Sequence, residues 1–159
     1  MERLDILCIG NLKEKFSREM SAEYEKRLSR YCKLKITELA EYRLPQSPSD
    51  AEISRALESE AQAMLAAAGS GGYRIAMCIE GKGMSSEKLA KTLDSAMMTS
   101  GRTVIFIGSS CGMSQALKDS CDLKLSMSEM TFPHQLARCM LLEQIYRSYK
   151  IRRGETYHK

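Results

Sequence analysis

Apolar side chains gather early in "LDILCIG" (4–10), a short run closed by glycine, which predicts a buried strand. The period then changes. Phe16, Met20, Tyr24, Leu28 and Tyr31 follow at steps of four and three, with Lys and Arg opposite, and predict an amphipathic helix. Asn11, with Glu14 three residues on, is expected to cap it. "LKITELA" (34–40) returns to strand character but is less hydrophobic, as suits a place nearer a sheet edge. The prolines of "LPQSPSD" break the pattern. Ser49 and Glu52 then form a capping box for a helix carrying Ile53, Leu57, Met64 and Ala68, stopped at Gly69.

"YRIAMCIE" (73–80) and "RTVIFIG" (102–108) predict two further strands, separated by a helix marked by Leu89, Leu93 and Met97. A short helix near 114–120, a weak strand at 122–126 and a long helix from Pro133 to about Lys150 complete the series. Pro133 is expected inside the first turn of that helix, where its missing N–H costs nothing. Strands alternating with helices predict an α/β fold: a parallel-rich sheet of about five or six strands with helices on both faces. No linker interrupts residues 1–159, so one domain is expected, large enough to bury roughly two-thirds of its unfolded surface.

The last helix departs from simple amphipathicity. Leu136, Ala137, Cys139, Met140, Leu141, Leu142, Ile145, Tyr146 and Tyr149 wrap most of its circumference. Such a helix must be covered on more than one side, and a second subunit in a twofold dimer is the expected cover, since a terminal helix usually covers one sheet face.

Composition and charge narrow the function classes. Hydrophobic residues at 43% and charged residues at 28% are globular values. No apolar run approaches the roughly 20 residues of a membrane span, and "MERLDILCIG" lacks the layout of an export signal. The six cysteines show neither a C-x-x-C pair nor a histidine at ligand spacing, so neither a disulfide framework nor a metal site is expected, and a reducing cytoplasm is the expected compartment. The net charge of +4 is uneven: residues 11–35 hold eight Lys/Arg against four Glu, and residues 133–159 six against two. These flanks are either solvated helix faces or two parts of a phosphate-binding surface that closes when the chain ends meet.

Candidate chemistry collects at strand ends. "CIEGKGMSSEKLA" and "FIGSSCGMSQALK" each place glycines at a strand terminus and Gly-Met-Ser at the start of a helix. Glycine permits positive φ and close ligand approach, helix N-termini offer free N–H groups, and α/β sheets bind ligands beyond the carboxyl ends of their strands. Residues 126–132 follow a third strand end, so three loops are placed to converge on one pocket. Neither loop is a dinucleotide fingerprint or a P-loop, and two histidines leave little material for a hydrolytic triad. The tail "KIRRGETYHK" mixes cations with Tyr157 and His158, a composition suited to RNA backbone and base contact.

Taken together, "GNLKEKF", "EYEKRLSRY", "IEGKGMSSE", "SEMTFPHQLARCMLLEQIYRSYKI" and the ending "RRGETYHK" closely resemble the ribosomal large-subunit RNA methyltransferase H family, of the SPOUT class, over essentially all 159 residues. The resemblance implies a small homodimer with a C-terminal trefoil knot. It also implies S-adenosylmethionine-dependent methylation of N3 of a pseudouridine in a stem-loop of 23S rRNA, in the assembled ribosome. It assigns Met77, Gly108 and residues 127–132 (Met127, Ser128, Glu129, Met130, Thr131 and Phe132) to the cofactor pocket, with Ile79, Ser109 and Gly112 as neighbours. His134, Tyr157 and His158 are the candidate proton acceptors, the tail pair supplied by the partner subunit. Arg138, Arg152 and Arg153 would hold phosphates or the imide anion, with Lys159 as a further RNA contact.

The family has a second glycine where this chain has Ser109, which is accommodated if its φ is negative. A non-catalytic RNA- or ribosome-binding protein of the same fold, supported by that change, and a flavodoxin-like nucleotide-binding enzyme are the competing readings.

Overall fold

The computed structural model describes residues 1–158. The elements run β1 (Glu2–Ile9), α1 (Lys15–Leu28), β2 (Cys32–Leu39), α2 (Asp50–Ala68), β3 (Tyr73–Lys82), α3 (Ser86–Ser100), β4 (Arg102–Ile107), α4 (Gln115–Asp119), β5 (Leu123–Leu125) and α5 (His134–Arg152). The five strands form one sheet in the order β2-β1-β4-β3-β5, every neighbouring pair parallel. β2 is an edge strand, as its weaker apolar pattern indicated.

Period-two alternation divides the core into two layers. Leu4, Ile6 and Cys8 of β1, with Ile75, Ile105 and Ile107, face a layer built from α1, α3 and α5. Leu7 and Ile9, with Ala76, Val104 and Phe106, face α2 and α4 through Met64, Ala68 and Leu117. Asp5, on β1 and only 5% exposed, accepts a bond from Arg102 Nε at 2.6 Å, so a buried carboxylate has its counter-ion on the neighbouring strand.

Several boundaries differ from the sequence reading. Asn11 does not cap α1; Glu14 is the N-cap and makes no side-chain capping bond. The predicted stripe of α1 is only half used: Leu28 is buried, whereas Phe16 is 69% and Met20 38% exposed. Pro133 stands at the N-cap of α5 with extended ψ rather than inside its first turn. The capping box of Ser49 and Glu52 forms as expected, and Ser85 and Ser114 cap α3 and α4 by accepting from Lys88 N and Leu117 N.

The long helix α5 lies between α1 and α3 of its own chain, which bury Cys139, Leu141, Leu142, Ile145 and Tyr149. Much of the cover expected from a second subunit therefore comes from within the chain. The reason is that α5 packs sideways against two helices as well as down toward the sheet.

Candidate active site

The C-terminal ends of β3, β4 and β5 open into a cavity of about 520 Å³, within the range typical of small-molecule sites. Three loops wall it: residues 77–80 at the end of β3, 107–113 after β4 and 125–134 leading into α5. Of the residues assigned by resemblance to the cofactor, Met77, Ile79, Gly108, Ser109, Gly112, Met127, Ser128, Met130, Thr131 and Phe132 all line it. Glu129 does not; it is exposed at the surface of the loop. His134 also lines the cavity from the first turn of α5.

Local chemistry explains the shape. Gly108 has no room for a side chain, because a Cβ would come within 2.3 Å of the Gly112 carbonyl oxygen. Gly112 takes φ +89° and donates its N–H to Ser109 O at 2.8 Å, closing a tight turn. The turn that departs from the family's glycine pattern needs no left-handed serine: among the described residues every positive φ belongs to a glycine, so that of Ser109 is negative. Ser109 is 8% exposed and donates to Glu60 Oε1 at 3.0 Å, while Glu60 Oε2 accepts Tyr42 N–H at 3.0 Å. Glu60 on α2 is itself only 5% exposed. The loop is thus braced from behind by a buried carboxylate that sequence reading overlooked, although it interrupts the apolar series Ala56, Met64, Ala68 at helical spacing.

On the opposite wall the loop after β5 holds itself. Ser126 Oγ donates to Ser128 O at 3.0 Å, and Met130 N donates to Ser128 Oγ at 3.0 Å. Gly10, at the end of β1 with φ +85°, leaves space beside the histidine: a Cβ there would lie 4.0 Å from His134 Nε2.

The sequence reading also overlooked Glu80 and Lys118, which form an ion pair at the cavity wall. The Lys118 ammonium bonded to Glu80 holds that carboxyl below its ordinary value. Burial pushes the nearby Cys78 thiol up, which makes it a poor nucleophile. The remaining lining is mostly apolar, with serine and threonine hydroxyls and backbone groups as its polar contacts.

Other candidates lie elsewhere. Arg138 is not in the cavity; it is 6% exposed and donates to Glu38 Oε2 at 2.8 Å, bordering a polar groove with Asn11, Arg18 and Glu25. Arg152 is held by Glu2 through two bonds, at 2.7 and 3.0 Å, and by Asp94 at 2.7 Å, so its guanidinium is already engaged by two carboxylates. Arg153 remains exposed, with its guanidinium 4.6 Å from the Tyr31 ring centre.

The tail folds back along α5 of its own chain. Tyr157 donates to Glu143 Oε1 at 3.1 Å, and burial pushes its phenol up to about 12. His158 sits between Glu87, at 2.6 Å, and Arg147, at 3.3 Å. Neither residue lines the cavity, and Lys159 lies outside the described residues.

The model of a family described as "Predicted SPOUT methyltransferase" matches residues 2–158. The chain belongs to the SPOUT methyltransferase family. A Clostridioides difficile protein named ribosomal RNA large subunit methyltransferase H is 43% identical to this SPOUT chain over 157 residues, covering 98% of this chain and 99% of the relative. A Methanococcus maripaludis relative, provisionally given the same name, is 45% identical with the same coverage.

Among solved structures, a Haemophilus influenzae protein described as a methylase-family member superposes with a TM-score of 0.54 at 10% identity. It covers 96% of this chain and 67% of its own length is matched. A Legionella pneumophila chain assigned as a methyltransferase, solved with S-adenosylmethionine bound, gives 0.51 at 11% identity, over 93% of this chain and 66% of that one. At these identities the two structures establish the fold, and this chain spans about two-thirds of their length.

Proposed function

We propose that this SPOUT methyltransferase takes S-adenosylmethionine into the strand-end cavity and methylates N3 of a pseudouridine in a 23S rRNA stem-loop, in the assembled ribosome. The observation that carries the reading is one cavity built from three loops of a chain 43% identical, end to end, to a ribosomal RNA large subunit methyltransferase H. The cavity suits the cofactor by size and by chemistry: apolar walls from Met77, Ile107, Met127 and Phe132 beside small hydroxyls and a glycine-paved floor. Ser109, at negative φ and tied to Glu60, fits the turn without backbone strain, which supports the catalytic reading over a non-catalytic protein of the same fold.

S-adenosylmethionine held among Met77, Gly108, Met127 and Phe132 would supply an electrophilic sulfonium methyl for transfer from sulfur to the attacking nitrogen. The protein's part is to position the base and to accept a proton. The imide N3 loses its proton as the N–C bond forms, and His134, at the cavity rim, is the acceptor in this reading. Tyr157 is a weaker candidate, because its phenol is already pushed up and bonded to Glu143.

A homodimer belongs to the same proposal. Phe16, Met20 and Leu136 are exposed on α1 and α5, and Met20 and Met140 share one groove beside the cavity, an apolar surface suited to a second copy that would carry its own tail toward this site. The C-terminal trefoil knot is proposed too. It rests on the family, whose model matches residues 2–158.

The test is incubation with methyl-labelled S-adenosylmethionine and ribosomes lacking the modification, followed by mass-spectrometric mapping. One methyl on N3 of a single pseudouridine is expected. Cofactor binding by calorimetry without any transfer to ribosomes or to their RNA would overturn the assignment.

A further inference from the structure

The basic flanks of the chain do meet. The C-terminal end of α1 lies against the C-terminal half of α5, and between them is a hollow of about 270 Å³ lined by Lys26, Arg27, Arg30, Tyr31, Tyr146 and Lys150. It is separate from the methyl-transfer cavity, with which it shares no lining residue. Two acidic residues also border it, and both are engaged: Glu23 accepts from Arg27 at 2.7 Å, and Glu155 pairs with Lys150. Among the described residues Lys26, Arg30 and the adjoining Arg153 make no ion pair, so three exposed cations are left without a direct carboxylate contact.

The floor beneath these charges is aromatic. Tyr31 stacks on Tyr149 with centroids 5.4 Å apart and meets Tyr146 edge-on at 5.9 Å; Tyr24 approaches Tyr146 at 6.2 Å. Cations lie over the ring faces: Arg27 is 5.4 Å from the centre of Tyr24, Lys150 is 5.8 Å from Tyr146, and Arg153 is 4.6 Å from Tyr31. Ring faces hold cations by their quadrupole, which fixes Arg153 above Tyr31 and lowers the entropy lost when an anion binds there. Charge at the end of α1 also offsets the helix dipole, but that needs only the last-turn pair Lys26 and Arg27. It does not account for Arg30 or Arg153, which lie beyond their helices.

We infer that this α1–α5 groove is an RNA-backbone cradle, in which Lys26, Arg30 and Arg153 hold phosphodiesters of the substrate RNA flanking the stretch presented to the methyl-transfer cavity. The inference rests on the reading that the substrate is ribosomal RNA. An RNA strand supplies the repeated single negative charges that a row of separate cations matches, and its release of counterions supplies affinity without sequence readout.

The test uses the full chain carrying Lys26→Ala and Arg30→Ala together, both exposed and outside the cofactor cavity. Binding to ribosomes lacking the modification is measured against salt concentration, independently of methyl transfer. The logarithmic salt slope is expected to shrink by roughly 1.5 to 2, with weaker RNA binding and a raised KM for RNA. Cofactor affinity and kcat at saturating RNA should stay unchanged. Lys26→Arg with Arg30→Lys should restore the slope, and Lys91→Ala, an exposed cation on α3 outside the groove, should leave it intact. An unchanged slope in the double variant, or an equal loss in Lys91→Ala, overturns the cradle. RNA binding by the wild type without methylation would instead count against the proposed reaction and leave the groove standing.

Discussion

The two ends of α5 solve opposite problems. Around its first turn the chain keeps space open: glycines at 10, 108 and 112, small hydroxyls, and one histidine whose neighbours leave room beside it. Around its last turns the chain fills space with paired charge and stacked tyrosines. Arg152 is clamped by Glu2 and Asp94, Arg147 by Glu143, and Tyr31, Tyr146, Tyr149 and Tyr157 pack in one cluster. An open end can take a ligand because its polar groups have spare hydrogen-bonding capacity. A satisfied end anchors the helix and leaves only the cations that nothing pairs. The difference lies in which side chains are already engaged, since both ends are rich in polar residues.

The sharpest way to break the open end is Gly108→Ala. Its Cβ would sit 2.3 Å from a backbone oxygen that cannot move without unfolding the turn. Loss of measurable cofactor binding by calorimetry is expected, with destabilisation of about 3 kcal/mol in urea denaturation. Next is His134→Ala, which should lower methyl transfer by roughly 10²–10⁴-fold while leaving cofactor affinity within twofold or so. A variant that keeps full single-turnover rates would remove His134 from proton transfer.

Ser109→Ala probes the brace behind the cavity. It strands one oxygen of the buried Glu60, and a loss of about 1–3 kcal/mol is expected in chemical denaturation, with weaker cofactor binding as the turn loosens.

The smallest effect belongs to the satisfied end. The Arg152 guanidinium bonded to Glu2 holds that carboxyl below its ordinary value of 4.5. Its contribution is therefore fully present above pH 4.5 and lost as pH falls through the lower, folded value. Glu2→Gln should cost on the order of 1 kcal/mol at neutral pH, discounted because the pair is partly solvated, and should flatten the acid limb of a stability–pH curve. A mutant curve parallel to wild type down to pH 3 would show that the clamp does not titrate as described.

Much of this was legible in the chain itself. The strand runs at 4–10, 73–80 and 102–108 formed, as did the stripe of α3 and the capping box of Ser49 and Glu52, because each depends on residues within a few positions of one another. Ten of the residues assigned to the cofactor meet in one cavity for a related reason: glycine-rich strand ends in a parallel sheet all point the same way. One local reading failed, and two long-range pairings were not visible in the sequence. Asn11 had the chemistry of a cap, but the chain continues irregularly to Glu14 before turning. Arg138 had the look of a substrate contact, yet its partner Glu38 lies 100 positions away on β2. Arg152 was read with the basic tail, and its carboxylate partner is at the opposite terminus, 150 positions distant.

The sequence by itself determined the alternation of strand and helix, the turns that glycine permits, and the family. Only the tertiary structure decided which charges are spent and which are free. Arg152 and Arg153 are adjacent and chemically identical, yet one is enclosed by two carboxylates and the other lies open on a tyrosine face. The reason is physical: a salt bridge is set by distances of a few ångströms in space, and the packing of α1 and α3 around α5, not the order of residues, fixes those distances.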